Sequence, residues 1–209
     1  MIIMPDVREP TQKRSIEKKN KIIEKGFELM CEKGYYKTTT TDIAKYAGVS
    51  TGIIYQYFND KKDIFLEGIK NYSDNIMYPM VNILDTEQFD INELDTILNI
   101  MIDKFIETHT ISKKAHEELM AMSHLDSDVA RIFKNAEWKT TEKIVNLFNN
   151  NGIKIPNLVE KVHICVNLID NLCHEIVYHK HNEIDYDIMK NEVVSIIVNL
   201  LKSVNGDGQ

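Results

Sequence analysis

At 209 residues, 43% hydrophobic and 27% charged, the chain has the balance of a soluble globular protein of one or two domains, not of a disordered or fibrous one. No run approaches the roughly 18 apolar residues a membrane span needs, and the opening MIIMP is too short for a signal-peptide core, so no membrane and a cytoplasmic location are expected. The net charge of −7 argues against nucleic acid until its distribution is read: 12 basic and 8 acidic residues lie up to Lys62, against 13 and 24 beyond it. A basic segment on an acidic body suits a small anion-binding module, because neutralising phosphates releases condensed counterions.

Eight glycines and four prolines make turns scarce and long helices the expectation. Residues 1–14 read as a flexible, mildly basic arm. Ile16, Ile23, Phe27 and Met30 recur at helical intervals from Ser15 to about Lys33, and Gly34 suits a left-handed stop. Thr39 is a good N-cap, with Asp42 placed to reach back as in a capping box, and Ile43, Ala44 and Ala47 give the next helix a small apolar face. Gly48 breaks that helix and Ser50 caps a third, running to about Phe58. Helix, glycine turn and helix make a helix-turn-helix.

Lys61 opens a helix continuing to about Tyr78, where Pro79 ends or kinks it, and residues 80–90 read as a loop or broken helix. Helices are expected at about 92–108, 112–122 and from Asp126–Ser127 to Asn149, followed by an NNNG turn. Residues 157–179 and 186–204 are apolar nearly all round, so they need cover on several sides. The economical cover is a second copy, with these two helices forming a four-helix bundle across a two-fold axis. The three cysteines (Cys31, Cys165, Cys173) lack CxxC spacing and read as buried, reduced thiols.

On the third helix, Ile54 and Phe58 are four apart and share one face, which should anchor the helix on its core. Gly52, Ile53, Tyr55, Gln56 and Tyr57 are expected on the other side, with Thr51 on the border. Tyrosine and glutamine donate to phosphate oxygens, and Thr51 and Ile53 can meet thymine methyls. Thr39 and Thr41 stand at the start of the second helix, where free amides and the helix dipole attract phosphate. Lys61 can add a charge to the same strand.

The stretch GYYKTTTTDIAKYAGVSTGIIYQYFNDKKDIF resembles the DNA-binding region of the tetracycline-repressor (TetR-like) family of bacterial regulators, over about residues 15–66. The resemblance implies that Thr39 and the start of the second helix contact phosphate. It also implies that Ser50, Thr51, Gly52 and Ile53 face the groove, while Tyr55, Tyr57 and Lys61 hold the backbone. Gln56 stands where many relatives carry an aromatic residue. The expected fold is therefore all-α: an arm over 1–14, a tri-helical helix-turn-helix DNA-binding domain over 15–60, and a helical ligand-binding and dimerisation domain over 61–209. The expected partners are a double-stranded, pseudo-palindromic DNA operator, a small-molecule effector that releases it, and a second copy held through residues 157–204.

Candidate pocket groups in the body are Met77, Met101, Phe105, His109, Met120, His124, Phe133, Trp138, Asn167 and His174, whose methionines and aromatics suit a bulky apolar ligand. His174, His179, His181 and His116 show no i, i+4 pair, so neither a metal nor a cofactor is expected. No nucleophile elbow, phosphate-cradling glycine loop or metallopeptidase motif appears, so no catalytic residue and no enzyme is expected. The reading from another class is a small-molecule-binding or interaction protein that keeps the helix-turn-helix only as a folding module.

Overall fold

The computed structural model describes residues 12–73, 90–111 and 113–202. Among them are nine α-helices and no strand: α1 (Lys13–Lys33), α2 (Thr40–Ala47), α3 (Thr51–Tyr57), α4 (Lys61–Tyr72), α5 (Leu94–Ile111), α6 (Lys113–Leu125), α7 (Ser127–Asn150), α8 (Leu158–Tyr178) and α9 (Tyr186–Lys202). A 3-10 turn at Ile91–Glu93 leads into α5. The all-α expectation holds. Met77, the stop at Pro79, the loop expected over 80–89 and the first eleven residues of the arm lie outside the described residues.

The chain forms two compact units, residues 1–73 with 114–132 and residues 74–113 with 133–209. In the first, α1 packs on α2 and α4. Ile22, Ile43, Ile54, Phe58, Ile64, Phe65 and Ile69 are buried there. The α1–α4 crossing is close because glycine faces a side chain on each helix. A Cβ on Gly26 would come within 2.7 Å of Ile64, and one on Gly68 within 2.5 Å of Phe27. The Phe27 ring meets Phe65 and Tyr72 at centroid distances of 5.8 and 5.9 Å.

The capping carboxylate of α4, Asp60, accepts from the Lys62 and Asp63 amides, and Asp126 does the same for α7 through Asp128 and Val129. Lys62 Nζ lies 2.7 Å from Asp126 and 2.8 Å from Asp128, joining the start of α4 to the α6–α7 corner. These ion pairs raise the Lys62 ammonium and lower both carboxyls, chiefly through hydrogen bonding.

In the second unit, α5 packs on α8 and α9, and α8 on α9. Leu98, Ile102, Phe148, Val162, Leu172 and Ile197 are central to its core. The turn after α7 closes with Gly152 at φ +70°, its amide donating to Asn149 O and that of Ile153 to Phe148 O. An apolar cavity of about 50 Å³ lies among α5, α7, α8 and α9. Ile164, Ile188 and Ile196 are 55, 60 and 52% exposed, so α8 and α9 each present isoleucine to solvent within this chain.

All three cysteines are free and buried, as the sequence suggests. Burial pushes the Cys31 thiol up to about 12 and Cys165 up to about 11, and raises Cys173 as well.

Candidate nucleic-acid interface

The start of α2 is built by the expected capping box. Thr39 Oγ1 accepts from the Asp42 amide at 3.2 Å, and Asp42 Oδ2 accepts from the Thr39 amide at 2.9 Å. The Thr39 hydroxyl also donates to Asp42, and Lys33 sits 3.1 Å from the same carboxylate. The Thr39 hydrogen bonds, with Lys33 behind them, hold the Asp42 carboxyl down at about 2. The cap is charged at any physiological pH.

At the other end of α2, Gly48 adopts φ +69°, ψ +38°, open to glycine without the Cβ clash other residues meet. The Gly48 amide donates to Lys45 O and the Val49 amide to Ala44 O, the paired bonds of a Schellman stop. Ser50 takes the N-cap place of α3 with extended backbone, but its side chain makes no capping bond. The turn is set by Gly48, not by the serine hydroxyl.

α3 has two sides. Ile54 and Phe58 are buried, as the spacing predicts, while Gly52, Tyr55 and Gln56 are exposed and Thr51 and Ile53 half-buried. Tyr57 departs from the expectation: it is only 9% exposed and its ring lies 6.4 Å from that of Phe58. The reason is spacing, since Tyr57 is three residues after Ile54 and shares its face.

Tyr55 meets a partner that sequence reasoning passed over. Its hydroxyl lies 3.2 Å from Thr40 Oγ1, joining the exposed side of α3 to the first turn of α2. Thr39 and Thr41 are exposed beside this pair, as is Tyr36, which packs edge-on against Tyr35 at 5.2 Å. The signal that could have found Thr40 is the four-threonine run itself, three members of which fall on the first turn of one helix or its cap.

Lys61 is turned inward. Its Nζ donates to Tyr35 O at 2.6 Å and Thr38 O at 2.8 Å, and lies 4.4 Å from the centre of the Tyr35 ring. Burial holds this ammonium below the ordinary lysine value. The arrangement leaves the hydroxyls of Thr41 and Tyr55 and the side-chain amide of Gln56 exposed around α2 and α3, groups that can donate to an anionic backbone.

The body residues singled out as pocket candidates are dispersed. Met120 and His124 belong to the first unit. In the second, Met101 lines the apolar cavity with Leu98, Ile144, Phe148, Cys165 and Ile197 among others. Phe105, His109 and His174 form a separate aromatic cluster with Tyr178: Phe105–His109 centroids lie 4.7 Å apart and His109–His174 5.3 Å. Trp138 is half-exposed near His163, Asn167 is exposed and Phe133 half-buried.

Residues 22–67 match the family described as bacterial regulatory proteins, tetR family. The likeness to that family is carried by these residues, which hold α2, α3 and parts of α1 and α4. Over 58 residues it is 50% identical to the HTH-type transcriptional regulator HbdR of Aromatoleum sp. (strain CIB), covering 28% of this chain and 25% of that protein. Over 62 residues it is 39% identical to the negative transcriptional regulator of the biofilm operon, IcaR, of Staphylococcus aureus (strain Newman), covering 28 and 33%. The chain thus matches a third or less of either relative. A TetR-family regulator structure from Mesorhizobium loti superposes with a TM-score of 0.71 at 17% identity, over 90% of this chain and 98% of that one, a likeness of fold.

Proposed function

We propose that the chain is a homodimeric DNA-binding transcriptional regulator of the cytoplasm, a repressor that a small molecule releases from a pseudo-palindromic operator. The observation that carries this reading is the outward side of α2 and α3, where Thr39, Thr41, Gly52, Tyr55 and Gln56 are exposed while Ile43, Ile54 and Phe58 hold both helices to their core. A helix whose N-terminal residues are small and uncharged can approach base edges, with flanking donors on the phosphates. Tyr55, the α2 start and Thr51–Ile53 are assigned those two roles. Tyr57 and Lys61 support the site from behind.

Dimerisation through α8 and α9 is supported by the exposed isoleucines on both helices. The apolar cavity, lined only by aliphatic, aromatic and sulfur-bearing side chains, favours an uncharged, hydrocarbon-rich effector. Among the described residues no helix is long and apolar enough to cross a membrane.

The test is selection of duplexes from a random-sequence DNA library by the purified protein. A two-fold symmetric consensus, with half-sites about one helical turn apart and affinity falling steeply with salt, is the expected result. Recovery of no consensus would overturn the reading.

A further inference from the structure

The turn between α1 and α2 is held by two charged side chains that come from remote parts of the chain. Glu118, on α6, accepts from the Tyr35 amide at 2.6 Å. Lys61, at the start of α4, donates to Tyr35 O at 2.6 Å and to Thr38 O at 2.8 Å. Both faces of the Tyr35 backbone are therefore taken by ions, and charge-assisted bonds are the stronger kind. Within the turn, the Thr38 hydroxyl donates to Gly34 O at 2.9 Å, and Thr38 is buried. Gly34 sits at φ +98°, and a Cβ there would also lie 4.0 Å from the Glu118 carboxylate. The residue that follows the turn is Thr39, the cap of α2.

The geometry points to Glu118 and Lys61 as positioning residues for DNA binding: together they clamp the Tyr35 peptide and so fix where the first turn of α2 stands. This role rests on the regulator reading. α2 has eight residues, so a shift of its start moves the whole helix, and the Thr40–Tyr55 contact carries the shift to α3. Lys61 then acts through the fold and neutralises no phosphate. Glu118, distant in sequence from the reading helices, controls affinity without touching DNA.

The experiment uses the full chain and a duplex that wild-type protein recovers from a random-sequence library. Binding is measured by fluorescence anisotropy from 50 to 300 mM KCl, alongside hydrogen exchange of the peptide spanning 34–40. Glu118→Ala is expected to weaken binding about tenfold, the size of one charge-assisted hydrogen bond. Its log–log salt slope stays at the wild-type value, and exchange over 34–40 rises. Glu118→Gln, which keeps an acceptor oxygen, should fall between Glu118→Ala and wild type, separating the hydrogen bond from general loss of fold. Lys61→Met should also weaken binding at unchanged slope. A slope reduced by about 0.9 in Lys61→Met would mean that the lysine holds a phosphate, and would overturn its assigned role. Equal binding and equal exchange in Glu118→Ala would overturn the proposal alone, whereas a wild-type protein that recovers no duplex would overturn the regulator reading as well.

Discussion

Tyr55 and Tyr57 stand two residues apart on a seven-residue helix, one facing solvent and one facing the core. Their hydroxyls should therefore respond differently to deletion. Tyr55→Phe is expected to weaken duplex binding by about 1 kcal/mol, roughly fivefold, while leaving the thermal unfolding midpoint unchanged. Tyr57→Ala should instead cost about 3 kcal/mol of stability in urea unfolding, as removal of a buried ring does. A Tyr57→Ala protein as stable as wild type would put that ring outside the core.

His109 gives a prediction of a different kind. Its Nδ1 donates to Phe105 O at 2.8 Å, and burial, the largest effect, lowers its pKa from the ordinary 6.5, opposed in part by Phe105 O and Asp170 and assisted by His174. The unfolded chain thus takes up a proton near pH 6.5 that the folded chain resists. This group's contribution is fully present above that pH and declines as pH falls through the lower folded-state value. Urea midpoints measured from pH 7.5 to 5 should fall on the acid side, and His109→Leu should flatten that part of the curve.

Elements were legible where a residue's chemistry is peculiar to its place. Gly34 and Gly48 marked two helix ends because both adopt a positive φ that favours glycine, though only Gly48 takes the left-handed helical conformation and Gly34, at ψ 138°, does not. Thr39 with Asp42 marked a start because the two groups satisfy each other's amides. The close α1–α4 crossing was not legible, since a glycine inside a helical pattern does not announce the ring it faces. Gly68→Ala should nonetheless cost about 1–3 kcal/mol by overpacking Phe27, checked by the urea midpoint. Lys61 looked like a surface cation in sequence, because nothing local says that two carbonyls 23 and 26 residues away will meet its ammonium. The cavity was hidden for the opposite reason. Its walls are leucine, isoleucine, valine and a few other apolar groups, the same residues that fill any core, and of the candidates among the described residues only Met101 reaches it.

For the whole molecule, the regulator reading requires two copies. If α8 and α9 supply the interface, Ile164→Lys combined with Ile196→Lys should halve the mass seen by light scattering and abolish high-affinity duplex binding, while circular dichroism stays helical. A dimer that survives both charges would place the interface elsewhere. The three buried thiols carry a practical consequence at this scale. Each is shielded and held in its protonated form, so the natural chain should be nearly silent toward maleimides and methanethiosulfonates under native conditions. Gln56→Cys, on the exposed side of α3, would then label quickly, and a nitroxide attached there would report the motion of α3 by electron spin resonance without any cysteine having to be removed.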